Sequence, residues 1–269
     1  MTEAGFSCRL CDSPDLTLYY AQGSASQFRY FKCQRCELVN LDLANGLDQS
    51  QFTLEFHDPT DESAGWDRML DATFDFICRY LPDARSLCDI GCGNGRLLYL
   101  GKRAGWRVLG LELTAEVAAR TAAHLDVEVI GGNFLDFEPG AKHAEAYDVV
   151  CLRHVLEHLP DSKRAMQKIA ALLQPGGHAV LEFPNVEAFG KRLKRALASA
   201  GLHQPRFKSD FMPGHCNEFC RASFEFLLHS TGFELVRFET YSKKPLANWL
   251  YNRVPIGNKA RALVRKIAS

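Results

Sequence analysis

Nothing in the overall charge of this 269-residue chain points to a polyanionic partner. Its 32 Lys and Arg residues balance its 32 Asp and Glu residues. The global electrostatic footprint of a nucleic-acid-binding protein is therefore missing, although local patches remain open. No apolar run reaches the length of a membrane span. Residues 1–7 lack a basic stretch followed by an apolar one, so they do not read as a signal peptide. Ten cysteines without a secretion signal are expected in a reducing, cytoplasmic setting, where thiols bind metal or fill space rather than pair. The 46% apolar content suffices for a core. The length allows one large domain, or a domain with a small appendage.

Four of the cysteines are patterned. Cys8-x-x-Cys11 and Cys33-x-x-Cys36 are separated by 21 residues. Each pair can curl into a knuckle that aims two thiolates at one ion, and four thiolates make a closed tetrahedral zinc site. The spacer holds two strand-like runs, Leu16 to Tyr20 and Gln27 to Phe31, with Gly23-Ser24 between them. Residues 1–41 thus read as a zinc ribbon with Cys8, Cys11, Cys33 and Cys36 as structural ligands. So small a unit has little apolar core, and metal would supply on the order of 10–16 kcal/mol of its folding energy. Two unrelated C-x-x-C pairs, or a dithiol redox site, are the competing readings.

The rest of the chain is organised around Leu87-Cys88-Asp89-Ile90-Gly91-Cys92-Gly93-Asn94-Gly95. A short apolar run ends in an acid, a glycine-rich turn follows, and a helix pattern begins at Arg96. Glycines let the backbone turn sharply and let a ligand approach it, and the next helix offers unpaired N–H groups at its start. A lone G-x-G-x-G is weak evidence. A second strand, Trp106 to Leu111, strengthens it by ending in Glu112, about twenty residues beyond the glycines, the spacing at which an acid meets ribose hydroxyls.

These residues, with the Gly132-Asn133 step, the run Leu152-Arg153-His154-Val155-Leu156-Glu157-His158-Leu159-Pro160 and Leu173-Gln174-Pro175-Gly176-Gly177, resemble the class I S-adenosylmethionine-dependent methyltransferases over roughly residues 66–240. The resemblance implies a doubly wound, mostly parallel seven-stranded α/β sheet. It implies S-adenosylmethionine as cofactor, held by Asp89, Gly91, Cys92, Gly93, Glu112, Leu113, Asn133, Phe134 and Leu152. Where the family usually has an acid for the adenine this chain has Asn133, with Asp136 as a second candidate. The motifs do not specify the acceptor. A small molecule (sugar, lipid or secondary metabolite, methylated on oxygen) is the leading expectation. An RNA or tRNA methyltransferase using the ribbon, and a non-catalytic module of the same fold, are the alternatives. Neutral charge and the lack of an Asn-Pro-Pro-Tyr type tetrapeptide after the fourth core strand count against nucleic acid.

Around this core the reading runs in order. Residues 42–65 are a polar linker or lid, in which Phe52, Phe56 and His57 stand out. Trp66 to Leu81 is an amphipathic helix, whose Arg68 is either a cofactor contact or a solvated arginine. Core helices are expected at Asn94 to Arg103, Thr114 to His124 with Thr114 as N-cap, and Ser162 to Leu173. Strands are expected at Val127 to Ile130, Tyr147 to Leu152 and His178 to Phe183, with Gln174-Pro175-Gly176-Gly177 as a stop and turn. His154 and His215 are the candidate catalytic bases, and His158 follows His154 at helical spacing. A metal held by the two histidines His154 and His158 lacks an evident third ligand, and a second metal at His215, Cys216 and Cys220 is a minor reading. The basic run Lys191 to Arg195 is either a solvated helix face or a contact for a phosphate-bearing acceptor. Residues 246–269, with Trp249, Leu250, Tyr251 and a basic helix Lys259 to Lys266, are a packed tail or a peripheral membrane contact.

Overall fold

The computed structural model describes residues 5–48, 57–61, 68–203, 206–242 and 256–267. Phe52, Phe56, Trp66, Trp249, Leu250 and Tyr251 lie outside the described residues, as does the side chain of Arg68. The chain separates into two compact units. One comprises residues 1–49, 154–163 and 182–262, the other residues 50–153, 164–181 and 263–269.

Two sheets are formed. The larger has seven strands in the order β10-β11-β8-β7-β4-β5-β6. These are β4 (Ser86–Ile90), β5 (Arg107–Glu112), β6 (Glu128–Gly131), β7 (Tyr147–Arg153), β8 (Leu173–Pro184), β10 (Phe233–Tyr241) and β11 (Lys259–Lys266). β4 pairs in parallel with β5 and β7, and β5 with β6. The smaller sheet has the order β1-β2-β3-β9 and is antiparallel throughout. It is built from β1 (Leu16–Gln22), β2 (Phe28–Cys33), β3 (Val39–Leu41) and β9 (Asn217–Glu218).

The second unit carries the glycine turn and the strands around it. Every residue of β4 is buried, as a central parallel strand requires when both of its faces are covered. Leu87, Leu97, Val149, Cys151 and Val180 share one core with Phe76 and Ile77 of helix α1 (Arg68–Tyr80). Asp148 sets the strand register at one end. It accepts hydrogen bonds from the Arg85 N–H at 2.8 Å, the Ser86 hydroxyl at 2.7 Å and the Gln174 amide at 2.6 Å. The glycine turn leads into helix α2 (Arg96–Arg103) through Gly95 at φ 86°. A Cβ there would stand 2.7 Å from both Leu125 and Thr121, so only glycine fits.

Four expectations need correction. Lys259 to Lys266 is not a helix but strand β11, inside the sheet between β10 and β8, with Ala260, Ala262, Leu263 and Val264 buried. Gln174-Pro175-Gly176-Gly177 is not a turn between elements. It lies within the long strand β8, with Gly176 at φ 75°. Thr114 precedes helix α3 (Ala115–Leu125) but its side chain makes no capping bond. After β7 no α-helix carries His154 and His158. His154 takes a left-handed backbone (φ 54°), and a short 3-10 turn covers Leu156–His158.

In the first unit, three sheet strands are locked by a buried ion pair. Arg261 Nε on β11 donates to Glu182 Oε1 on β8 at 2.6 Å, and the Tyr241 hydroxyl on β10 donates to Glu182 Oε2 at 2.7 Å. Glu182 is 0% and Arg261 6% exposed. Removing one member of such a pair leaves a buried charge without its partner. Arg261→Leu should lower the unfolding free energy by about 3–5 kcal/mol, and Glu182→Leu in the same chain should recover much of that loss. Urea unfolding of the two variants checks both values.

Candidate functional site

In the second unit the glycine turn and the acid at the end of β5 form one construction. Gly91 (φ 72°) and Gly93 (φ 54°) take left-handed backbone. The N–H groups of Gly91 and Cys92 donate to the Leu111 carbonyl at 2.7 and 3.2 Å. Gly93 N–H donates to Glu112 Oε2 at 3.0 Å, and Thr114 N–H to Glu112 Oε1 at 3.1 Å. Glu112 is buried at 6%, Asp89 at 4%. Each Glu112 oxygen has spent one lone pair on the backbone, and a carboxylate has about four acceptor positions. Capacity for two ribose hydroxyls remains. Leu113 beside it is 50% exposed, an apolar surface that suits a flat base. Thr121 Oγ1 donates to the Gly93 carbonyl at 2.9 Å, fixing the turn from α3.

A cleft at the end of β6 is lined by Leu111, Gly132, Asn133, Phe134 and Asp136. Asn133 Oδ1 accepts from Leu135 N–H at 3.0 Å, so its carbonyl caps the turn and its NH2 group faces other partners. Phe134 is 6% and Leu152 0% exposed. Phe134 thus lines the cleft with little exposed surface, and Leu152 is not among its lining residues. Cys92 is buried, with its thiol pushed up by that burial, and its Sγ would stand 2.8 Å from a Cβ on Gly110.

Sequence reasoning missed the anchoring of residues 57–61. Arg96, 5% exposed, forks onto Asp71 Oδ1 and Oδ2 at 2.8 and 3.2 Å and donates to the Pro59 carbonyl at 2.7 Å. Asp58 accepts from Thr60 N–H at 2.9 Å and lies 2.9 Å from His124 Nε2. These hydrogen bonds, the Thr60 backbone first, hold its carboxyl down to about 2. His57 is exposed.

In the first unit the four patterned cysteines converge. Cys8 Sγ lies 3.5 Å from Cys36 Sγ, and Cys11 Sγ 3.4 Å from Cys33 Sγ. All four sulfurs are within 4.8 Å of one another. A tetrahedron with Zn–S bonds of about 2.3 Å has sulfurs about 3.8 Å apart, so the donor set fits one ion. Each knuckle closes alike. Asp12 N–H donates to the Cys8 carbonyl at 2.9 Å and Glu37 N–H to the Cys33 carbonyl at 3.0 Å, with Asp12 and Glu37 both left-handed.

The first knuckle also grips a distant loop. Arg9 Nη1 donates to the Leu41 carbonyl at 2.9 Å and Nε to Asn217 Oδ1 at 3.0 Å. Its Nη2 donates to the Cys216 carbonyl. Asn217 Nδ2 in turn donates to the Leu159 carbonyl at 2.8 Å, and Cys216 N–H to the Glu157 carbonyl at 3.0 Å. The ribbon, the loop bearing His215 and the Leu156–His158 turn are thereby one scaffold.

The histidines sort out differently from their spacing. His154 lies with Nδ1 3.3 Å from Glu157 Oε1 and Nε2 2.9 Å from Lys259 Nζ. An ammonium only donates, so Nε2 accepts and Nδ1 carries the proton. His158 and His215 meet edge to face, with centroids 4.7 Å apart. Burial pushes the His215 imidazole below its ordinary value. Glu157, His158 and His215 offer donor atoms that all lie within 4.8 Å of one another. Cys216 and Cys220 do not join that group. Cys216 Sγ turns to the Glu157 carbonyl at 3.4 Å, and Cys220 Sγ to Ser223 Oγ at 3.6 Å.

The basic run sits on helix α6 (Phe189–Ser199) and is largely engaged. Lys191 pairs with Glu218 at 3.5 Å, Arg192 with Glu187 at 3.6 Å, and Arg195 donates to the Val186 carbonyl at 3.0 Å. Asn185, which follows Pro184 at the end of β8, is 3% exposed and donates to the Gly257 carbonyl at 3.0 Å. Its role here is to hold that turn.

This parallel sheet, with a glycine turn after β4 and a clamped acid after β5, is the class I methyltransferase arrangement. A family described as a methyltransferase domain matches residues 62–237, and the chain belongs to it. A ubiquinone biosynthesis O-methyltransferase of Cronobacter sakazakii is 36% identical over 107 residues, 39% of this chain and 44% of that protein. One of Klebsiella pneumoniae is 34% identical over 119 residues, 43% of this chain and 48% of that protein. The matched region therefore spans less than half the length of these curated relatives. Among solved structures, a SAM-dependent methyltransferase of Methanosarcina mazei aligns with TM-score 0.54 at 16% identity, over 72% of this chain and 98% of that one. Magnesium protoporphyrin IX methyltransferase of Synechocystis aligns with TM-score 0.53 at 13% identity, over 81% and 92%. At these identities the likeness is one of fold. Among the described residues no helix is long and apolar enough to cross a membrane.

Replacing Arg9 by Met should loosen the His215 loop. Hydrogen exchange at the Cys216 amide, which donates to the Glu157 carbonyl, is expected to speed up by at least about tenfold, while the Gly93 amide stays protected. Mass-spectrometric exchange on the full chain reads both peptides.

Proposed function

We propose that this chain is an S-adenosylmethionine-dependent methyltransferase that methylates an oxygen of a small-molecule acceptor. The observation that carries the cofactor half is the Glu112 carboxylate, buried at the end of β5 and clamped by the N–H groups of Gly93 in the glycine turn and of Thr114. Glu112 takes the ribose hydroxyls and Asp89 the amino-acid end. Leu113 and Asn133 flank the base, Gly91, Cys92 and Gly93 let the backbone come close, and Phe134 and Leu152 support the cleft from below. When bound, the cofactor supplies a methyl group already activated by a sulfonium. The chain then has to bind, orient and deprotonate the acceptor. Positioning of this kind lowers a barrier by roughly 7–11 kcal/mol, and a base adds roughly 10²–10⁴-fold.

The names of the matched relatives support oxygen as the acceptor atom. Neutral overall charge and the internal pairing of the basic run support a small molecule over nucleic acid. On the acceptor side stand His154 and His215. With Lys259 donating to its Nε2, His154 is a positioning group until that lysine moves. His215, whose imidazole burial pushes below its ordinary value, is the other candidate proton acceptor. The four ribbon cysteines hold a structural zinc ion, with no open coordination position. Residues 1–41 are the ribbon, and residues 66–245 the methyltransferase domain.

Calorimetric titration of S-adenosylmethionine and S-adenosylhomocysteine into zinc-replete protein tests the reading. Both ligands should bind, and Glu112→Gln should weaken them by roughly 10- to 100-fold, the size of a lost charged hydrogen bond of about 1.5–3 kcal/mol. Absence of binding to folded protein would overturn it.

A further inference from the structure

Glu157 presents a problem of valence. The residue is 1% exposed. Its Oε1 lies 3.3 Å from His154 Nδ1, while its Oε2 is buried and has no hydrogen-bond partner among the described residues. An unsatisfied oxygen on a buried carboxylate costs about 1–3 kcal/mol or more. Such atoms call for a ligand or ion. The groups close by are the imidazoles of His158 and His215, with one donor atom each within 4.8 Å of the carboxylate and of each other.

The surroundings hold those groups as a metal site's outer shell does. His158 Nδ1 lies 2.7 Å from the Gly214 carbonyl. A ring whose Nδ1–H is committed to a backbone carbonyl has Nε2 as its basic nitrogen, the tautomer in which histidine binds metal. A Cβ on Gly214 would lie 3.3 Å from the Asp48 carbonyl and 3.7 Å from the His158 ring, so the loop approaches that ring closely. The His215 loop is pinned to the Glu157 turn through Cys216 N–H at 3.0 Å. Glu157 Oε1 is met by His154, whose Nδ1–H is directed by the Lys259 contact on its other nitrogen.

We propose that Glu157, His158 and His215 form a second metal site, distinct from the four cysteines, that binds a divalent first-row transition ion such as zinc. Two imidazoles and one carboxylate are the ligand set of an open zinc site, in which a further position is left for water or an oxygen donor. Imidazole in the set favours such ions over magnesium or calcium. The site deepens the methyltransferase reading and, in its use, rests on it. An acceptor hydroxyl bound at the open position would lose its proton to solvent more readily, the ion stabilising the oxyanion that remains. His215 is then a ligand rather than a base.

The test is metal stoichiometry of the full chain. Protein equilibrated with excess Zn2+ and freed of unbound ion by gel filtration is expected to carry a second equivalent beyond the thiolate site. Cobalt substitution separates the two, since the thiolate site alone gives intense sulfur-to-cobalt charge-transfer bands. Glu157→Gln and His215→Ala should each weaken the second equivalent more than about tenfold while the thiolate bands and circular dichroism stay unchanged. A single equivalent in the wild type would overturn the proposal without reference to any variant. So would a second equivalent that both variants retain. Calorimetry with S-adenosylhomocysteine on the same samples is independent of this site, so failure of the metal proposal and failure of the cofactor reading are told apart.

Discussion

A guanidinium placed between two zinc-type cysteines ties this protein's ribbon to its chemistry. Arg9 follows Cys8 in the first knuckle and spends its donors on Asn217 and on the carbonyls of Leu41 and Cys216. Burial pulls its proton affinity down, and a guanidinium out of water is tolerable only when such acceptors surround it. The fork geometry is what lets one side chain hold three separate segments. A lysine could neutralise the same charge but would not fix the same plane. A metal at the knuckle would therefore order more than the ribbon. The energy that folds the cysteine cluster also fixes the carbonyl of Cys216, and with it the loop that carries His215.

Two buried glutamates show how the same residue type is put to different uses. Glu112 is buried with both oxygens bound by backbone N–H groups. Its charge is satisfied by the turn it braces, so the turn and the acid cannot move apart without cost. Glu157 is buried with one oxygen met by His154 and the other unmet among the described residues. The first is a completed structural element that a ligand can still use. The second is incomplete as a structural element among the described residues.

Much of the nucleoside-binding half was legible because its signals are local. A glycine turn, an acid at the end of the next strand and a short apolar run are each readable within about ten residues, and the strands fell within a few positions of their expected ends. The cysteine pairs were legible for the same reason. The misreadings share a physical cause. Lys259 to Lys266 is rich in helix formers, and a window of Lys, Ala, Arg and Leu favours a helix by propensity. Insertion between two strands decides otherwise, as context routinely does for β structure. Pro175-Gly176 reads as a break, yet β8 accommodates it with one residue at positive φ. His154 and His158 share a helical spacing, but a left-handed residue at the end of β7 separates their directions. The pairing of His158 with His215 was not visible at all. Those residues are 57 positions apart in the sequence, and the Cys216 N–H to Glu157 carbonyl bond, the Asn217 side chain on the Leu159 carbonyl and the His158 contact with the Gly214 carbonyl bring them together.

The contact between Lys259 and His154 joins these threads. A lysine on the strand that sequence reasoning misread fixes which nitrogen of His154 bears a proton, and that proton is directed at Glu157 Oε1. Were Nδ1 instead the unprotonated nitrogen, its lone pair would face a carboxylate oxygen and repel it. The lysine thus leaves Glu157 Oε1 facing a donor, while Oε2 has no partner among the described residues. In this arrangement His154, one of the two candidate bases, is a donor to the acid three residues on.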